Sequence, residues 1–222
     1  MKYWDDDNIL NNQTDETPPK VIYQAVCDSL GRYFIQEGFK YSKSIPKLVK
    51  KEDEFQYEII FRSSGTNRAG ESSGLEINGY IISRELINSE QSEKGYLNSS
   101  TTALGKILGG DYPIGTKFVK QIFGETINYL EEHRDFNEFT LNRYTNVYQI
   151  TEDKFEMIVN FVKTNILDWL AKLVSEQGMM ECLRECSKPS KLSLQRSSFL
   201  KFVEMKYPNK LEEVKIELNN YR

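Results

Sequence analysis

A chain of 222 residues, 39% of them hydrophobic and 12% aromatic, can bury a sizeable core, which excludes wholesale disorder. Its 29 Lys and Arg against 33 Asp and Glu leave a formal charge of -4, too mild and too interspersed to announce nucleic acid or an anionic membrane as partner. A modestly acidic surface fits a basic protein partner better.

The N-terminus, MKYWDDDNIL, carries acids where a secretory signal has basic and then apolar residues, and no apolar run approaches the ~18 residues of a membrane span. The expected location is the cytoplasm. Cys27, Cys182 and Cys186, an odd count without framework spacing, suit reduced thiols there. Residues 1–19 read as a polar tail ending in Pro18-Pro19, with Tyr3, Trp4, Ile9 and Leu10 able to dock onto the domain that follows. That domain, 20–186, opens with Val21, Ile22, Ala25, Val26, Leu30 and Phe34 at helical spacing, and Gly38 is placed to cap the helix.

SIPKLVKKEDEFQYEIIF then predicts a hairpin, in which Phe55, Tyr57, Ile59 and Phe61 alternate with Gln56, Glu58 and Ile60 after a charged turn at Lys51 to Glu54. LEINGYIIS alternates again through Leu75, Ile77, Gly79 and Ile81, so GTNRAGESSG, Gly65 to Gly74, joins two strands. Three strands without intervening helices indicate an antiparallel sheet. The glycine-rich stretch from Ser89 to Gly115 is too long for a plain connection, and a further helix follows through Phe118, Ile122 and Leu130. NVYQI, Asn146 to Ile150, predicts a strand. Thr151, followed by Glu152 and Asp153, starts a long helix through Phe155, Ile158, Val162, Ile166, Trp169 and Leu173, with Gly178 placed to interrupt or end it. Residues 187–222 read as a helical hairpin appendage broken at Tyr207-Pro208. The fold class is α+β: a mainly antiparallel sheet packed by amphipathic helices, with a C-terminal helical hairpin.

Two catalytic motifs are approached by the loop. A phosphate loop needs G-x-x-x-x-G-K-[ST], and Gly65, Gly70 and Ser72 fit, but Glu71 replaces the lysine and would repel the anion. The serine-hydrolase elbow G-x-S-x-G is matched in full by Gly70 to Gly74, and Ser72, Asp111 and His133 follow in the order nucleophile, acid, base. The strand periodicity after Gly74 removes the helix that both motifs require. A serine hydrolase using Ser72 stays as the enzymatic alternative.

A zinc site would need all three cysteines and His133, without knuckle spacing, so neither a metal nor a cofactor is expected. Lys40, Lys43, Lys47, Lys50 and Lys51 near Phe39, Tyr41 and Phe55 allow a weak nucleic-acid binder; lysines guarding an exposed strand edge account for them better. Glu131, Glu132, Asp135 and Glu138 form an acidic cluster where a basic partner could dock. Tyr96, Tyr112, Tyr144 and Tyr148, in or near irregular segments, are candidate interface anchors.

The helix ending in QEGFKYSKS, the hairpin LVKKEDEFQYEIIFRSS, the strand LEINGYIIS and NVYQITEDKFEMIVNFVKTNILDWL together resemble a broad family of uncharacterised bacterial proteins of unknown function. Gly38-Phe39-Lys40 and Asn146 to Leu170 carry most of the resemblance. Some members sit beside polymorphic toxins, so the resemblance implies a protein partner and, in its sharpest form, an immunity protein that neutralises a toxin. No catalytic residues carry over. The expectation is a non-enzymatic protein-binding module.

Overall fold

The computed structural model describes residues 2–86, 106–109, 145–172, 174–185 and 196–219. Proline in the first turn, where its missing N–H costs nothing, starts helix α1, Pro19–Gln36. Ile22, Val26, Leu30 and Phe34 recur every four residues and are fully buried. Gly38, at φ +88°, then reverses the chain so that Phe39 N donates to the Phe34 carbonyl at 3.0 Å. The Phe39 ring closes edge-on against Phe34 at 5.7 Å, which fixes the exit from the helix.

Strands β1 (Lys40–Ser42), β2 (Lys47–Glu52), β3 (Phe55–Ser63), β4 (Gly74–Ser83) and β5 (Lys106–Gly109) follow, in spatial order β1-β2-β3-β4-β5. Strand β6, Thr145–Asn146, pairs antiparallel with the start of β4, and β5 pairs antiparallel with its end. Tyr41 lies opposite Leu48. Phe61 N donates to the Pro46 carbonyl at 3.0 Å, which by antiparallel counting places Ile59 opposite Leu48. Leu48, Ile59 and Phe61 are buried, so this is the packed face of the sheet. The predicted hairpin is β2 and β3, turned at Asp53 with φ +46°.

The two descriptions of the α+β class, sheet and C-terminal helical pair, therefore hold for the described residues. Several elements differ in detail. NVYQI is a strand only to Asn146, because the Asn146 side-chain oxygen accepts from Tyr148 N at 3.0 Å and bends the chain out of the ladder. Helix α2, Glu152–Phe161, starts as expected, with Thr151 Oγ1 accepting from Lys154 N. Its continuation, Val162–Leu167, winds as a π-helix before α3, Asp168–Lys172. Thr164 Oγ1 donates to the Asn160 carbonyl at 2.9 Å within this stretch, competing with the regular ladder. The break comes at Val174 and Ser175, and Gly178 lies inside α4, Glu176–Glu185. Helices α5, Arg196–Lys206, and α6, Leu211–Asn219, flank a short 3-10 turn at Pro208–Lys210, as the Tyr207-Pro208 break predicted. The helix expected through Phe118 to Leu130 lies outside the described residues. Among the described residues no helix is long and apolar enough to cross a membrane.

The chain divides into two compact units. One comprises Met1–Lys50, Ile59–Asn78 and Asp111–Ile166; the other Lys51–Glu58, Gly79–Gly110 and Leu167–Arg222. In the first, Trp4 and Leu10 are buried, and Trp4 packs edge-on against Phe155 at 5.2 Å while its ring N–H donates to Asn11. The docking that the sequence allowed for these residues is what the structure has. In the second, Phe202 of α5 meets the Phe55 ring at 6.1 Å, Lys206 pairs with Glu54 at 2.6 Å, and Tyr207 donates to the Val174 carbonyl.

Gly31 is where α1 crosses β1: a Cβ there would sit 2.5 Å from the Tyr41 ring. Gly31→Ala should destabilise the protein by about 1 kcal/mol net, since overpacking of ~1–3 kcal/mol outweighs the gain of ~1 kcal/mol in helix propensity. In a Tyr41→Ala background the same change should become neutral or stabilising. Urea denaturation midpoints of the four proteins check both signs.

Candidate functional site

The Gly65 to Gly74 loop is closed by its own backbone. Ser72 N donates to the Arg68 carbonyl at 2.9 Å and Arg68 N to the Ser72 carbonyl at 3.1 Å. Asn67 accepts from Gly74 N at 2.7 Å and donates to Ser63 Oγ at 2.8 Å, so the loop's base is tied to its start. Asn146 grips it from outside, accepting from Ser73 N and donating to the Glu71 carbonyl. Ser73 Oγ donates to the Pro19 carbonyl, and Gly70, at φ +74°, lies against Asp15. Strand β4 begins at Gly74, so the strand-to-helix turn that would raise a serine nucleophile, or aim a helix dipole at a phosphate, does not follow the loop. The Ser72 hydroxyl is within 3.3 Å of Arg68 N, which donates to it, and Glu71 pairs with Arg68 at 3.6 Å.

Its supposed partners Asp111 and His133 lie outside the described residues. So do Glu131, Glu132, Asp135, Glu138, Tyr96, Tyr112 and Tyr144. Tyr148 is described: half-buried, it donates its hydroxyl to Asp15 at 2.8 Å. Of the cysteines, Cys27 is fully buried in α1, and burial pushes its thiol up, out of the reactive range. Cys186 and the Cys182 side chain lie outside the described residues. Among the described residues no group of three or more His, Cys, Asp or Glu is placed to hold a metal.

The lysine-rich stretch is divided by the sheet. Lys43 reaches Asp28 at 2.8 Å, and Lys50 lies over the Phe39 ring at 5.7 Å. Phe39 and Phe55 are buried in the core, and the half-buried Tyr41 ring packs on Gly31, so the run does not present a row of exposed rings for base stacking. Lys40, Lys47 and Lys51 alternate onto the opposite face, and β1 is the edge strand of the sheet order.

A site that the sequence did not single out forms where the N-terminal segment, α1 and β1 meet. An open cleft of about 460 Å³ is lined by Asn8, Ile9, Ala25, Asp28, Arg32, Tyr41 and Lys43. Ile9 and Ala25 supply apolar surface. Asp28 is the polar hub: Oδ1 accepts from Tyr41 OH and Gln24 Nε2, and Oδ2 from Lys43, all at 2.8 Å. Arg32, one turn on, holds Asp5 at 3.2 Å. Partial burial pushes the Asp28 carboxyl up, but the Lys43, Gln24 and Tyr41 donors outweigh it and hold the group below the ordinary carboxylate range. Burial, reinforced by Asp28, pushes the Tyr41 phenol up. The only sequence signal for this hub is Gln24 one turn before Asp28; its other two donors come from across the Gly38 turn.

No protein-family model matches the chain, and neither a curated protein nor a solved structure matches it.

A carboxyl held low when folded adds stability above its unfolded value of ~3.9, and this is lost as pH falls through the folded value. Asp28→Asn should therefore cost about 1 kcal/mol at pH 7, allowing for solvent screening of a half-exposed pair. The difference from wild type should shrink below pH ~4. Chemical denaturation from pH 7 to pH 2.5 measures it; a difference that stays constant would place the role of Asp28 outside its charge.

Proposed function

We propose that this chain is a protein-binding module, and that neutralising a toxin is the form of that role which the sequence resemblance supports. The observation that carries the reading is the cleft beside α1. Asp28 takes three donors and Arg32 holds Asp5, while Ile9 and Ala25 leave apolar ground at an open surface. Such an arrangement suits a docking surface, where a rigid polar rim fixes register and apolar contact supplies affinity. The reactive side chains among the described residues support no competing chemistry as strongly: Ser72 follows no elbow geometry, and the Cys27 thiol is buried. A cytoplasmic location belongs to the same proposal.

Capture of the tagged protein from lysate of its host, in parallel with Ala25→Arg, tests the reading. Arginine is a good helix former and fills the cleft without disturbing α1, so its thermal midpoint should stay within about 2 °C of wild type. A stoichiometric protein partner recovered with wild type and reduced at least ~10-fold with Ala25→Arg is the expected result. Equal recovery would move the interface elsewhere. No protein recovered, together with labelling of Ser72 by a serine-directed probe that Ser72→Ala abolishes, would overturn the module in favour of a hydrolase.

A further inference from the structure

Residues 2–12 are folded on themselves ahead of α1, within the same compact unit. Asn11 is the centre of this segment: its side-chain oxygen accepts from the Trp4 ring N–H at 2.8 Å, and its amide donates to the Asp5 and Asp6 carbonyls at 3.0 and 3.1 Å. Backbone bonds from Asn8 N to the Asp5 carbonyl and from Asn12 N to the Ile9 carbonyl close two turns inside it.

Little of this polar bonding leaves the segment. Among the described residues, the only hydrogen bond or ion pair that joins residues 2–12 to chain beyond Gln13 is Arg32 on Asp5 at 3.2 Å, an exposed pair of small worth. The chain is pinned just after it, where Gln13 Oε1 accepts from Gln149 N at 2.9 Å and Asp15 accepts from the Tyr148 hydroxyl at 2.8 Å. What holds the segment down is apolar: Trp4 and Leu10 are buried, and the Trp4 and Tyr3 rings lie on Phe155 of α2 at 5.2 and 4.9 Å. Lifting it therefore breaks apolar contact and one exposed ion pair. It strands no buried polar group, since even the Trp4 N–H keeps its partner.

We propose that residues 2–12 form a strap that gates the cleft beside α1, docking and lifting as a unit about the anchor at Gln13 and Asp15. Docked, Asn8 and Ile9 supply one wall of the cleft. Lifted, the strap takes that wall away and uncovers Phe155, a ring that is otherwise fully buried. Such an opening needs only the strap's own contacts to break, so it lies below the stability of the fold as a whole. In giving the cleft two states the inference rests on the protein-binding reading. A partner seated against Asn8 and Ile9 holds the strap down by the same factor as the docked strap tightens its binding.

The test uses the full chain carrying Trp169→Phe, which leaves Trp4 as its sole tryptophan. In urea, Trp4 emission should move to the red at a midpoint at least ~1 M below that of far-UV circular dichroism, because the strap opens before the fold does. Adding Leu10→Ala should raise acrylamide quenching of Trp4 in buffer ~3-fold or more and leave the dichroism midpoint within about 0.5 M. Ala25→Cys reads the gate. Its thiol should react with a bulky maleimide at least ~5-fold faster in the presence of Leu10→Ala than in its absence, while the buried Cys27 stays unlabelled; peptide mass spectrometry separates the sites. Coincident midpoints, or a Leu10→Ala change that lowers both together, would make the segment an integral part of the core. An unchanged labelling rate would separate the strap from the cleft, and each of these results overturns the proposal. No partner enters these measurements, so their failure leaves the module reading standing, whereas failed capture from lysate removes the partner and leaves the strap.

Discussion

The register of three strands decides what this protein can bury and what it can show. The two-residue turn at Asp53 sets β2 against β3, and hydrogen bonds from Ser64 N to the Gly74 carbonyl and from Arg84 N to the Glu54 carbonyl hold β4 to β3 in one register at both ends. Because side chains alternate with a period of two, slipping the β2–β3 pairing by one residue would carry Leu48, or Ile59 and Phe61, from the packed face to the other. Each large side chain so exposed would lose roughly 1.5–3 kcal/mol. Such a loss exceeds the ~1 kcal/mol that a regained ladder hydrogen bond returns. The same alternation puts Lys40 and Arg62, both exposed, on the face opposite to Leu48 and Ile59, together with the buried Glu58 and Glu76.

The loop between β3 and β4 illustrates how composition and context can disagree. Its glycines and serines match a nucleophile elbow letter for letter, yet the groups that such an elbow leaves available are engaged in holding the loop shut. Asn67 and Asn146 take the backbone N–H groups of Gly74 and Ser73, and Ser73 is tied to the start of α1 through Pro19. What the segment supplies is a joint between strand, helix and the N-terminal segment.

Legibility in the sequence followed the range of the interactions. The end of α1 at Gly38, the β2–β3 hairpin, the start of α2 at Thr151 and the break at Tyr207-Pro208 are each set by residues within a few positions, and each was readable. Strand β4 was read as alternating, but all ten of its residues are buried, Glu76 and Asn78 included. Whether the second face of a strand is covered depends on remote chain, which periodicity does not register. The π-helical stretch was equally hidden, since its apolar positions keep a helical rhythm while Thr164 bonds back to the preceding turn. For the candidate site, Lys43 and Tyr41 were noticed as part of a basic, aromatic run. Their actual partner, Asp28, lies 15 and 13 residues away on α1, and only the close approach at Gly31 brings them together.

The division into two units has an architectural consequence. The chain passes between them at Lys50, Glu58, Asn78, Gly110 and Ile166, and three of those passages fall inside β2, β3 and β4. No single cut of the polypeptide yields either unit whole, and a fragment ending at any of the three strand passages severs a strand. The two units are consequently inherited, expressed and lost together: one cannot be shuffled into another protein, or trimmed away, as a cassette.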